Sequence, residues 1–309
     1  MNCLYFAHWL ASFFVLNAGD GARLTAAAKQ AKEAGAIGFE LIWHALNKMS
    51  AAETALALKA AGMFRASMCI FFPDGMGDPL SNNPTEFDLA VKNFRQACGF
   101  ICELRIHGIE INFIDGPSAW VLGKTYSPSS QKYLNGQILR FYLAVADDLR
   151  EAGIMVAIEL LRYEEDKVLQ SVDHAIALID RLNAAIKGKK GEVIFGFHLD
   201  VHHFAERGYP IADAIRRLGK RIVLLHLHGT KRRPAGSVGD EMPWAEIIAA
   251  LKEIGITGVI VTYEPFSDEV RDKAGEALWK GLPPAVTEPS GIIATRATLV
   301  QHGMTFMST

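Results

Sequence analysis

Cysteine is scarce in this chain. Its 309 residues include four, Cys3, Cys69, Cys98 and Cys102. They form no CxxC pair and no framework of the kind that staples secreted domains. That excludes a disulfide scaffold, and a reducing cytoplasm is the expected location. Cys98 and Cys102 stand four apart in a helical stretch, so they share a face and read as small core residues. An excess of charge is also missing. Lys and Arg total 32 against 34 Asp and Glu, a formal net charge of −2. No basic surplus points to nucleic acid, and no acidic tail points to a solvating segment. Nor does any segment reach the ~18 uninterrupted apolar residues of a membrane span. The apolar stretch Met1–Asn17 lacks a positive n-region and carries His8 and Trp9. It reads as a first strand and its loop rather than a secretory signal. Low-complexity segments are absent.

What the chain does have is apolar residues, 50% of the total, with 21% charged. Short apolar runs alternate with helical patterns from end to end, the signature of βα units and a parallel sheet. The expected strands are Asn2–Phe6, Ile37–Trp43, Arg65–Phe71, Gly108–Phe113, Met155–Leu160, Val193–Leu199, Arg221–Leu227 and Gly258–Tyr263. Helices are expected over Ala22–Ala34, Ala51–Ala61, Pro84–Leu104, Gln131–Ala152, Val172–Ile186, Ile211–Leu218, Trp244–Ile254 and Ser290–Val300. Gly35 and Gly62 stand where the first two should stop. Eight of each in strict alternation predict one (β/α)8 TIM barrel spanning 1–309, with an open doubly wound sheet as the alternative. The stretches Phe72–Asn83, Asp115–Ser130 and Pro265–Glu288 read as long loops at the C-terminal mouth, where barrel sites are built.

The last four strands end alike. Strand five runs into Glu159, strand six into Asp200, strand seven into His228 and strand eight into Glu264. Side chains alternate along a strand, so one inward register sends all four toward the same side of the mouth. A single acid at a strand end has a bland reading, a residue leaving the core for water. Four successive strand ends, none of them Lys or Arg, point instead to a metal. Three carboxylates and one imidazole form a hard, oxygen-rich site that suits one divalent ion, Mn²⁺ before Mg²⁺ or Co²⁺. His226, two residues below His228, reads as a satisfied inner residue or an outer partner of the ligands.

These segments resemble the ketose 3-epimerases, the D-tagatose/D-psicose 3-epimerase family of the xylose-isomerase-like barrels. The resemblance is clearest from residue 150 to about 282. Glu159 and Glu165 stand as in the family's Glu-x5-Glu segment, and Leu199-Asp200-Val-His-His203 as in its Leu-Asp-x-x-His. His226-Leu-His228 matches its His-x-His, and Tyr263-Glu264-Pro-Phe266 its Glu-Pro-Phe end. Leu278-Trp279-Lys280 is similar to its Trp-Arg-Asp-Leu. The N-terminal half matches in architecture alone. The resemblance implies a metal-dependent isomerase acting on a small sugar or sugar derivative. The metal polarises a carbonyl. Glu159 and Glu264, catalytic as well as ligands, face each other, remove a proton to give a cis-enediolate and return one to the opposite face. Glu165 and His203 would hold the reacting oxygens. A homo-oligomer, dimer or tetramer, is the expected assembly.

Two departures alter the sugar-recognising layer. Where the family has Gly-Glu followed by an Arg, this chain reads Gly229-Thr230-Lys231-Arg232-Arg233. Lys231 takes the glutamate position, and Arg233 is the nearest candidate to hold substrate. Arg162 and Tyr163 stand where the family often has Asn and Arg. The basic run after strand seven suggests a substrate with an anionic group, against a solvated loop. The same ligands also suit aldose–ketose isomerases, inosose dehydratases and C-glycoside deglycosidases. An endonuclease IV-like DNA repair enzyme is the remote alternative, and it would recruit three zincs and histidines from earlier strands. A non-catalytic sugar-binding role is the third class.

Overall fold

Eight short segments rich in Ile, Val, Leu and Phe pair side by side in parallel and close on themselves. The computed structural model describes residues 2–3, 5–8, 21–46, 49–70, 72, 75–116, 131–161, 169, 171–230, 233–264 and 289–306. The barrel strands are β1 (Tyr5–His8), β2 (Gly38–Ile42), β3 (Arg65–Cys69), β4 (Glu110–Gly116), β5 (Met155–Glu159), β6 (Phe195–Asp200), β7 (Ile222–His226) and β8 (Ile260–Tyr263). Each pairs with its successor. Ala7, level with both Gly38 and Thr262, closes the ring. A two-residue parallel bridge, Asn2–Cys3 with Thr305–Phe306, lies outside the barrel.

Most expected ends move by one or two residues, and three differences go further. The first strand begins at Tyr5, because Asn2 and Cys3 pair with the C-terminal segment instead. The fourth runs on to Gly116, so Asp115 belongs to the sheet and not to a loop: it pairs in register with Cys69 and Ala157. The expected helix Gln131–Ala152 is two helices, Gln131–Ala144 and Ala146–Ala152, since Val145 leaves helical geometry at φ −115°, ψ 11°.

Local chemistry sets the helices that hold the ring. Ser50 and Glu53 form a reciprocal capping box at the start of Ala51–Ala60. Asn83 caps Pro84–Ile106, with proline at its first turn. Cys98 and Cys102 lie on that helix, Cys98 buried, as their spacing predicts. Asn183, buried on helix Val172–Ala185, donates to the Phe195 carbonyl at 2.8 Å and accepts from the Phe195 amide at 3.0 Å. It thereby pins the first residue of β6. Edge-on rings of Phe94, Phe141, Tyr142 and Phe195 fill the space between these helices and the sheet.

The barrel interior is layered. Ala157, Leu224 and Ile260, all fully buried, form an apolar floor of their own. Two residues further along the same strands stand Glu159, His226 and Thr262. The next level up therefore turns polar, and Glu40, Ser67 and His198 share it at zero exposure. Gly196 lets β7 approach β6, because a Cβ there would meet Val223 at 2.4 Å. The register shift beside it, between Phe197 and His198, makes Leu224 the strand partner of His198 and His226 the strand partner of Asp200.

Candidate metal centre

β5 ends on Glu159 and β6 on Asp200. His228 follows β7 by two residues, and Glu264 follows β8 directly. Asp200 is also a helix cap. Its Oδ1 accepts from the His202 amide at 2.7 Å and starts helix Val201–Glu206. That turn carries His203 back over the mouth. His203 Nε2 lies 3.5 Å from both Asp200 Oδ2 and Glu159 Oε1. His228 Nε2 lies 2.9 Å from Asp200 Oδ1, and its Nδ1 is 3.2 Å from the Gly229 carbonyl. Donation from Nδ1 to that carbonyl leaves the lone pair on Nε2 facing a carboxylate. A shared cation or proton satisfies such a pair.

Among the described residues three triads of ligand atoms form here, each with all its atoms within 4.8 Å of one another: Asp200, His228 and Glu264; Glu159, Asp200 and His203; and Glu159, His198 and His226. Asp200 is common to the first two and Glu159 to the last two. Asp200 thus neighbours each of the other three residues expected as ligands, His228 and Glu264 in one triad and Glu159 in another, and His203 stands in the second. The donors are carboxylate oxygens and imidazole nitrogens with no thiolate among them, which fits a hard divalent ion.

Burial makes the electrostatics severe. Glu40 and Asp200 have no exposure, Asp115 and Glu264 have 5%, and His198, His203, His226 and His228 have 2% or less. Buried charges persist only when paired or bound to metal. The pairs are here. His226 Nε2 lies 3.0 Å from Glu40 Oε2, and its Nδ1 lies 3.1 Å from Glu264 Oε2. Burial works against charge on His226, but Glu40 and then Glu264 outweigh it and raise its pKa well above that of an ordinary imidazole. His198 Nδ1 lies 3.0 Å from Asp115 Oδ1 and 3.7 Å from Glu159 Oε1. Burial first, then Asp115 and Asp200, pushes the Glu159 carboxyl well above the usual carboxylate range. Cys69 donates to Asp115 Oδ2 at 3.4 Å. Burial and the charges of Asp115, Glu40 and Glu159 keep it a thiol.

Glu40 and Asp115 do not emerge from the strand-end pattern. The available signal was a lone acid inside an otherwise apolar strand, Gly-Phe-Glu40-Leu-Ile, and an acid two residues after Phe113. His226 is more than a filler, since both its ring nitrogens are engaged. Glu165, Arg162, Tyr163, Lys231, Arg232 and the stretch around Trp279 lie outside the described residues. Arg233 is half-buried in the turn after β7, where its carbonyl accepts from the Gly229 amide at 2.6 Å. That turn is braced by Asp240, which accepts from the amides of Thr230, Gly236 and Met242 and from Trp244 Nε1. Burial opposes these bonds, yet together they hold the Asp240 carboxyl below its ordinary pKa.

A match to the xylose isomerase-like TIM barrel family covers residues 28–284. The chain belongs to the xylose isomerase-like TIM barrel family. Within it, the chain is similar to a D-psicose 3-epimerase from Agrobacterium fabrum, 28% identical over 238 residues, covering 74% of this chain and 76% of the relative. Among solved structures it is similar to an L-ribulose 3-epimerase (TM-score 0.75, 18% identity, 97% of this chain and 94% of that one). It is also similar to a D-psicose 3-epimerase determined in the presence of D-fructose (TM-score 0.74, 20% identity, 96% and 99%). At those identities the structural likeness speaks for the fold alone. The xylose isomerase-like barrel accounts for the architecture and for the site's place at the C-terminal ends of the strands. Among the described residues no helix is long and apolar enough to cross a membrane.

Proposed function

We propose that this chain is a divalent-metal-dependent sugar isomerase or epimerase, and within that class a ketose 3-epimerase. The observation that carries the reading is the position of Asp200, shared by one triad that contains Glu159 and another that contains Glu264. Asp200, His228, Glu264 and Glu159 would hold one ion, Mn²⁺ in the first instance. When bound, that ion supplies positive charge that polarises a ketose carbonyl and acidifies the adjacent C–H. Glu159 and Glu264 each move one proton. One takes it from C3, leaving an enediolate, and the other delivers a proton to the opposite face. Two carboxylates are required because a single base does not reach both faces of the carbon. His203, seated between Glu159 and Asp200, orients a substrate oxygen, and Glu165 holds another. Arg233 marks the wall that meets the far end of the substrate. A homo-oligomer in the cytoplasm completes the proposal, with no nucleic acid and no membrane as partner.

The resemblance of the motifs and the relatedness to D-psicose 3-epimerases support the ketose assignment. The test is a screen of free and phosphorylated ketoses with Mn²⁺ in D2O, followed by NMR. Epimerisation places one deuteron on the inverted carbon, whereas elimination loses a group and an aldose–ketose shift moves the carbonyl. One metal per chain is expected, and three zincs with cleavage of abasic DNA would replace this reading by a repair enzyme.

A further inference from the structure

Glu40 is an odd residue to place at the centre of a barrel. It has no exposure. Its Oε2 accepts from His226 Nε2 at 3.0 Å, while its Oε1 has no hydrogen-bond partner among the described residues. A half-satisfied buried carboxylate is a poor way to stabilise a fold, and an apolar residue of similar volume would serve stability as well or better. The other nitrogen of the same imidazole lies 3.1 Å from Glu264 Oε2. The chain Glu40–His226–Glu264 therefore runs from the polar level of the interior up to the mouth. An imidazole held on both sides has its ring plane fixed, and it fixes in turn the carboxylate it donates to.

We infer that Glu40 is a positioning residue that orients Glu264 through His226. This rests on the reading of Glu264 as one of two working carboxylates. Glu159 lies near His226, in a triad with His198, but its close imidazole contacts are to His198 and His203, whereas Glu264 is bonded to His226 itself. Loosening Glu264 alone has a signature that a general loss of packing lacks. Starting from the epimer whose C3 proton Glu159 removes, the proton is still taken and exchanged with solvent, but inversion stalls because Glu264 no longer delivers on the other face. Starting from the opposite epimer, Glu264 must act first, so exchange and inversion fall together.

The experiment compares Glu40→Gln and Glu40→Leu with wild type on D-psicose and D-fructose, with Mn²⁺ in D2O. Deuterium entry and inversion are followed separately from each epimer, and Mn²⁺ affinity is measured by titration calorimetry. Ser67→Ala, paired in register with Glu40, is the control for disturbance at the same depth. Both Glu40 variants are expected to fold. They should raise the ratio of exchange to inversion about tenfold or more from one epimer only, and weaken Mn²⁺ binding about tenfold. Equal losses from both epimers, or wild-type behaviour in both readouts, overturn the inference. If wild-type protein exchanges no ketose proton, the epimerase reading fails separately. The role of Glu40 is then decided by Mn²⁺ affinity, and unchanged affinity refutes it.

Discussion

His228 Nε2 lies 2.9 Å from Asp200 Oδ1 and joins the ends of two neighbouring strands across the barrel mouth. Because Asp200 also caps a helix, its charge and its capping role separate cleanly. Asn caps as well as Asp, so Asp200→Asn keeps the turn that carries His203. It should nevertheless weaken Mn²⁺ binding by more than the ~10–100-fold lost with outer partners. Calorimetric titration checks this, and a Kd within threefold of wild type refutes the shared-ligand role.

Metal removal should reach stability as well as turnover. Glu159, Asp200 and Glu264 crowd three carboxyl groups into a site nearly closed to water. A cation that binds the folded state at a hundredfold over its Kd adds about 2.7 kcal/mol to unfolding. Chelated protein should therefore melt lower, and Mn²⁺ should restore the melting temperature in a concentration-dependent way. Melting curves that do not respond to Mn²⁺ argue against a buried metal.

Asn183 ties a helix to the first residue of β6 through bonds to both the amide and the carbonyl of Phe195. Asn183→Ala should cost about 1–3 kcal/mol per buried group left unpaired, read as a lower midpoint in urea unfolding. Turnover per folded molecule should hold, since Asn183 lies behind the sheet and away from the mouth. A variant that loses turnover at unchanged stability contradicts this.

Asp240 gives a pH-dependent prediction. Its folded-state pKa lies below the ordinary 3.8, because burial is outweighed by its hydrogen bonds to Trp244, Gly236, Thr230 and Met242. A depressed carboxyl contributes stability above its unfolded pKa, and that contribution is lost as pH falls through the folded value. Asp240→Asn should thus destabilise the protein at neutral pH and lose part of the acid-induced decline below about pH 4. Parallel melting curves of variant and wild type from pH 7 to pH 3 count against the bracing role.

Arg233 stands in the turn that Asp240 braces. Arg233→Ala should raise KM for phosphorylated ketoses about tenfold and leave neutral ketoses nearly unchanged, as expected for loss of one charge-assisted contact. Equal effects on both substrate classes assign Arg233 to the loop's structure instead.

The parts of this protein legible in its sequence are those that depend on near neighbours. Alternating apolar runs and helical periods announced eight βα units, because strand and helix periodicity is imposed by each segment's own burial. Glu159 and Asp200 were legible for the same reason, since a register set within one strand fixes which way its last residue points, and His228 and Glu264 follow from where their strands stop, one or two residues earlier. The extension of β4 to Asp115 was hidden. Its pairing with Cys69 and Ala157 is decided by other strands.

Glu40 was hidden more deeply. It lies 186 residues from His226 in the chain, and Asp115 lies 83 from His198. No local pattern relates residues so far apart. Barrel closure brings β2 within reach of β7 across the interior, and at that distance, away from water, a carboxylate and an imidazole must pair. The sequence by itself determined the units, their order and the residues that reach the mouth. Only the closed barrel decided which buried acid faces which ring, because that depends on strands meeting through space.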